Sequence, residues 1–286
     1  DENTIVYALP TNPPPQESFA ELLLYNPDTV GYLMIGDIVD LPVVQRENDN
    51  EYYLTHGFSG AETREGSLLR EGANRLGDWN RIIDGHKMRN GTMFGQLSSC
   101  GERAFLLENA VVRFDTLYEN ALYVPFAMFE ASMDEDDAHY FDVRQIVLDE
   151  TSFELFVLKL RGRSVFDVPV EVEYGDQLLT LVTCSYNDDD GRYIVALRKL
   201  REGETEEAMR ALMEEARYGP KNILRREAIA SRRCFVVILC SFRSRAARGG
   251  PSPARRGARR EPPTDRRRTR SALRRLTARR RRAKSH

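Results

Sequence analysis

Eight short apolar runs, at residues 32–35, 41–45, 67–69, 81–83, 111–114, 122–129, 178–184 and 192–198, constrain this chain more than any other feature. They are separated by stretches rich in Gly, Pro, Asn and Asp. Runs this short match strands, and many of them at such spacing predict a β-barrel or a β-sandwich. With 286 residues and 41% apolar content, the chain has material for one sizeable core or two modest ones.

Helices are expected where the strand pattern breaks. Residues 1–15, with Pro10 and Pro13-Pro14-Pro15, read as an extended lead-in, because Pro lacks the N–H that a helix interior or a central strand requires. Ser18 is placed to cap a short helix whose apolar positions Phe19, Leu22, Leu23 and Tyr25 share one face, and Asn26-Pro27-Asp28 stops it. Asp149 precedes Phe153, Leu155, Phe156, Leu158 and Leu160, which follow helical rather than alternating spacing. A crossover helix is therefore expected at about 151–161, with Gly162 as its stop. A last helix is expected from Glu202 to Tyr218, acidic early and carrying Arg210 and Arg217 late, as the helix dipole prefers.

The near-neutral total charge hides two unlike segments. Residues 1–220 carry 19 Lys/Arg against 41 Asp/Glu, whereas residues 221–286 carry 23 against 3. Beyond about residue 241 only Arg, Ala, Pro, Gly and Ser are abundant, so this part buries too little apolar area to offset its ordering entropy and is expected to be largely disordered. The expected organisation is an extended lead-in (1–15), a barrel (16–200), a C-terminal helix (201–220) and a basic low-complexity tail (221–286). The tail's arginines suit a polyanion such as anionic lipid or cell-wall polymer, but it has almost no interleaved aromatics and no recognisable nucleic-acid module. Low-complexity runs of this kind also arise from out-of-frame translation.

Four cysteines, Cys100, Cys184, Cys234 and Cys240, form no C-x-x-C pair, which argues against a zinc site or a disulfide framework and fits one reactive thiol among inert ones. Cys100 reads as a semi-buried loop thiol, and no function is assigned to Cys234 or Cys240. The apolar run between those two is far short of the roughly 20 residues that span a bilayer. The acidic runs Asp134–Asp137 and Asp188–Asp190 lack EF-hand spacing, so no metal and no cofactor is expected. Trp79 reads as a packing residue.

Cys184 ends one apolar run and stands eight residues before Arg192, at the head of the next. A hairpin there sets a thiol opposite a permanent cation. A thiol becomes a nucleophile at neutral pH with help, usually from a histidine elsewhere in the fold. His286 is the last residue, and His139 lies in an acidic loop where a solvated imidazole is expected. His86 directly follows Ile82-Ile83-Asp84-Gly85, with the glycine permitting close backbone approach. Taken alone, such a histidine is a turn residue more often than a catalyst.

Taken together, four ordered segments over about residues 16–200 resemble one family. Asn80 to Leu97, containing Asp84-Gly85-His86 and Met93-Phe94-Gly95, strongly resembles the histidine motif of class B sortases, cysteine transpeptidases of Gram-positive cell surfaces. Asn26 to Leu33 with Leu41 to Gln45, Asn50 to His56, and Thr180 to Tyr186 with Arg192 resemble further segments of the same family in the same order.

The resemblance implies a mainly β fold with peripheral helices: an eight-stranded sortase-like barrel, an N-terminal helix, and a crossover helix before the cysteine strand. It implies a catalytic set of Cys184, His86 and Arg192, and a peptide groove that includes Asn50, Leu54, Asp84, Val182 and Thr183. Cys184 would attack the Thr carbonyl of a C-terminal sorting signal, and the resulting acyl group would pass to an amine of a peptidoglycan precursor, a cross-bridge or a pilin Lys. The implied partners are a surface or pilin protein and that acceptor. The implied location is the extracellular face of a Gram-positive cell membrane, held by an N-terminal anchor missing from this chain.

Three departures affect the implied specificity. The family commonly has Tyr two residues before the histidine, Asn after it and Ser two before the cysteine, where this chain has Asp84, Lys87 and Val182. The catalytic set survives these changes, but the exact sorting motif does not transfer. The alternative from a different class is a sortase-like module without activity, working through a polyanion-binding tail.

Overall fold

The computed structural model describes residues 13–47, 49, 51–184 and 191–219, with Cys184 by its backbone alone. These residues fall in the first of two compact units, Asp1–Ala230. The second unit, Ser231–His286, lies outside the described residues, as do most of the lead-in, Asn50, Asp188–Asp190, Cys234 and Cys240.

The described strands are β1 (Thr29–Ile35), β2 (Val39–Val44), β3 (Leu68–Arg70), β4 (Asn80–Gly85), β5 (Val112–Thr116), β6 (Leu122–Ser132), β7 (Phe166–Asp167), β8 (Leu178–Cys184), β9 (Gly191–Lys199) and β10 (Arg217–Tyr218). Eight of them, one at each apolar run, close into a barrel in the order β1-β2-β3-β4-β8-β9-β6-β5. Closure comes from β1 pairing antiparallel with β5, Gly31 opposite Thr116 through Met34 opposite Arg113. Of the two folds the strand spacing allowed, the chain adopts the barrel. Pairings β2·β3 and β4·β8 are parallel, while β1·β2, β3·β4, β8·β9, β6·β9 and β5·β6 are antiparallel.

The strands read as nearly continuous apolar runs because most are covered on both faces. From Tyr123 to Phe129 every residue of β6 is buried. One face fills the barrel interior, and the other receives helices. Five α-helices are described: α1 (Ala20–Tyr25), α2 (Tyr52–Thr55), α3 (Arg103–Glu108), α4 (Glu150–Arg163) and α5 (Glu206–Glu214). The crossover helix is α4, which lies between β6 and β8 in sequence and packs on β6. It buries Phe153, Phe156, Val157 and Leu160, each contributing roughly 2 kcal/mol of apolar burial. Phe141 links it to the barrel, its ring 5.8 Å from Phe156 and 5.2 Å from Phe129 of β6. Trp79 packs against Tyr174 and Phe153, with ring centroids 5.2 and 6.5 Å away.

Helix ends differ from the expected ones for local reasons. Asp149 caps α4 as expected, accepting from the Ser152 N–H at 2.8 Å. Gly162 does not stop it, because this glycine keeps helical backbone and the helix runs on to Arg163, where Ser164 donates its N–H to the Leu160 and Arg161 carbonyls. Ser18 lies inside a 3-10 turn, Glu17–Phe19, that precedes α1 without a side-chain cap. The last helix is shorter than expected: Thr205 caps it by accepting from the Ala208 N–H, and Arg217–Tyr218 leaves it to pair with β7 as β10.

Candidate active site

Two strand registers bring the sequence-predicted residues together. β4 and β8 run parallel and in step from Asn80 opposite Leu178 to Gly85 opposite Thr183. The next residue on each chain is His86 and Cys184. On the other side of β8, the antiparallel ladder with β9 ends with Cys184 opposite Arg192. His86 and Arg192 therefore flank the backbone of Cys184 from neighbouring strands, which are spaced about 5 Å apart in any sheet.

His86 is held from outside its own strand. Its Nε2 lies 2.7 Å from the carbonyl oxygen of Leu54, at α2. A carbonyl only accepts, so this contact places the ring proton on Nε2. The His86 carbonyl in turn accepts from the Phe94 N–H at 3.0 Å. Gly85 makes this approach possible, since a Cβ there would stand 2.5 Å from Leu68 Cδ2 and 2.7 Å from Phe94 Cδ2. The loop turns back through Met93, which adopts φ 54°, an unusual conformation for a residue with a side chain.

Arg192 donates from Nη1 to the Gly191 carbonyl at 2.9 Å. It lines a cavity of 270 Å3 with Ile82, Asp84, Met133, Val143, Arg144 and Val182. Arg144 is tied to Glu71 at 3.1 Å. Asp84 is half-buried at this cavity, and burial pushes its carboxyl up to about 7, with the Glu71 charge adding to the effect and Arg144 and Arg192 opposing it. The acid is thus poised near neutrality in a cleft.

The remaining predicted residues are distributed unevenly. Val182 sits opposite Asp84 in the ladder and lines the same cavity. Thr183 alternates to the opposite face, pairing with Gly85 and Tyr193, and its hydroxyl is buried without a partner. The Leu54 side chain is half-buried against the small cluster of Val44, Tyr53 and Leu69, and its carbonyl is the part that meets His86. His56 stacks on Tyr52 at 4.0 Å, and the His139 side chain is 81% exposed beside Asp137. Cys100 is buried, with burial pushing its thiol up to about 12, as suits an inert side chain. Among the described residues no group of three or more His, Cys, Asp or Glu is arranged to hold a metal ion.

Sequence reasoning missed the Leu54 carbonyl, the Glu71–Arg144 pair, Met133 and Val143. None carries a local signal, because each reaches the site from a segment distant in sequence.

No family model matches the chain. Sortase B of Listeria monocytogenes is 30% identical over 185 residues, covering 63% of this chain and 73% of the relative. The chain belongs to the class B sortases. Sortase B of Staphylococcus aureus is 24% identical over 188 residues, covering 64% of this sortase and 75% of the relative. A crystal structure of sortase B from B. anthracis superposes with a TM-score of 0.57 at 26% identity, over 68% of this chain and 90% of that one. The eight-stranded barrel of this sortase is that of the family, and the enzyme is a cysteine transpeptidase.

Proposed function

We propose that Cys184, His86 and Arg192 carry out transpeptidation on a C-terminal sorting signal. The observation that supports this reading is the paired register, which sets Cys184 opposite Arg192 and one step beyond the Gly85·Thr183 pair, level with His86. The Cys184 thiolate attacks the carbonyl carbon of a Thr in the signal, and the peptide C–N bond breaks as the thioester forms. His86 as imidazolium gives its proton to the leaving amine and later takes one from the incoming amine. With Nε2 committed to Leu54, Nδ1 is the nitrogen that exchanges protons. Arg192 offers a permanent fork of donors to the peptide carbonyl and the oxyanion.

The substrate is a surface or pilin protein, and the acceptor is an amine of a peptidoglycan precursor, a cross-bridge or a pilin Lys, reached at the extracellular face of a Gram-positive cell. Asp84, Val182, Leu54 and Asn50 belong to the peptide groove in this reading, whereas Thr183, buried on the opposite face of β8, does not line it. At ordinary Cys and His acidities, only about one molecule in a hundred holds thiolate and imidazolium together near pH 7.5. Turnover is accordingly slow and bell-shaped in pH, and a flat rate between pH 5 and 10 would contradict the ion-pair mechanism.

Mass spectrometry with candidate sorting peptides tests the assignment. A thioacyl adduct is expected on the wild type and absent from Cys184→Ala. If a folded barrel forms no adduct with a broad peptide library, the inactive binding module takes the place of this reading.

A further inference from the structure

Arg70, the last residue of β3, pairs with Ile83 of β4 and so stands on the opposite face of the sheet from Asp84. It lines a second cavity, of 320 Å3, with Gln45, Asn74, Arg75, Thr116 and Tyr118 among its walls, and no residue of the cleft cavity takes part. Gln45 Oε1 accepts from Arg70 Nε at 3.0 Å and also from Nη2. The Gln45 amide nitrogen is itself committed, donating to the Glu71 and Asn74 carbonyls at 2.8 and 2.9 Å. The guanidinium is thus fixed in orientation by a neutral group.

Its charge is not compensated in the same way as those of other arginines in the fold. Arg81, Arg198 and Arg201 meet carboxylates at 3.0, 2.6 and 2.9 Å respectively. Among the described residues no carboxylate pairs with Arg70. Arg75 adds a second guanidinium to the cavity wall; its Nη1 donates to the Gly72 and Asn74 carbonyls at 2.7 and 3.2 Å, and Nη2 stands 3.6 Å from the exposed Glu47, which lines the same cavity. Burial, followed by the positive charges of Arg81 and Arg75, lowers Arg70 to about 10, with Asp78 opposing. A guanidinium held in a cavity by a neutral acceptor alone keeps its full charge, and an anion that joins it there gains charge-assisted hydrogen bonds.

We propose that this cavity binds a phosphate group. Arg70 ends β3 and Arg75 stands in the loop that follows it, and both line the space with Tyr118, which comes from the distant loop between β5 and β6. That arrangement suits a tetrahedral oxyanion better than a single planar carboxylate. The phosphate is either a free ion or the phosphodiester of a lipid headgroup or polymer.

Titration calorimetry of the full chain at constant ionic strength, with inorganic phosphate and separately with glycerophosphoglycerol, decides the matter. Arg70→Gln and Arg75→Ala serve as comparisons, and the tail's arginines contribute the same background to every protein. Saturable binding is expected in the wild type, weakened at least about tenfold in Arg75→Ala and lost in Arg70→Gln. Binding of the diester identifies a headgroup or polymer source, and binding of inorganic phosphate alone identifies the free ion. Equal binding by wild type and Arg75→Ala, or no saturable binding below about 10 mM, overturns the proposal. Arg75 is exposed, so its variant keeps the test decisive even if Arg70→Gln does not fold.

Discussion

Asp84 shows how one residue sets the chemistry of a cleft. Its acidity in the fold, raised from 3.8 to about 7, means that the native protein holds a proton that the unfolded chain has already released. Stability therefore falls as pH rises from about 4 to about 7 and stays at the lower level above that. Asp84→Asn removes this cost. Thermal unfolding of the variant is expected at least about 2 °C above wild type at pH 8, with little difference at pH 4; coincident curves at pH 8 would show that the carboxyl is not strained. The sequence flagged Asp84 as a departure beside His86 and, by resemblance, as a groove residue. Its near-neutral acidity comes first from burial, is raised further by Glu71 and is held down by Arg144 and Arg192, and no local pattern reports any of these.

At the scale of elements, the end of β4 is governed by a glycine. Leu68 and Phe94 close over Gly85 so tightly that a methyl group there meets carbon at 2.5 Å. Gly85→Ala is expected to cost about 1–3 kcal/mol by overpacking. It also moves the adjoining His86 away from the Leu54 carbonyl, so kcat should fall more steeply than the melting temperature alone predicts. Loss of stability with unchanged kcat in the folded fraction would separate Gly85 from the site. Asp149 provides the contrast. Its cap on α4 is worth about 1 kcal/mol, and Asp149→Ala should lower the midpoint of denaturant unfolding without altering turnover. Asp149 was readable from sequence because capping is a local contact; the extension of α4 through Gly162 was not, since packing of Leu160 and the Ser164 terminus outweigh the weak helix preference of one glycine.

For the whole molecule, the barrel closes with residues 29–199, and α5 is held by burial of Met209 and Met213 in the core and by polar contacts at its two ends. Buried Arg198 of β9 meets Glu204 at 2.6 Å, and Arg103 donates to the Glu214 and Ala216 carbonyls. These contacts carry the required chain as far as β10. Deleting residues 221–286 is expected to leave the melting temperature within about 1 °C and peptide cleavage within about twofold. A loss of cleavage that added tail peptide restores would instead make the tail part of the enzyme.

The eight strands and the crossover helix were determined by the sequence itself, and Cys184, His86 and Arg192 were singled out there as the proposed set, because apolar spacing, capping and motif order are local properties. Barrel rather than sandwich was decided only by the tertiary structure, through the pairing of β1 with β5 across some eighty residues of sequence. The tertiary structure also decided which faces Thr183 and Val182 occupy, what holds His86, and how Asp84 and Arg70 are charged. Those properties depend on which distant groups share a low-dielectric space, and a linear pattern of residues does not encode that distance.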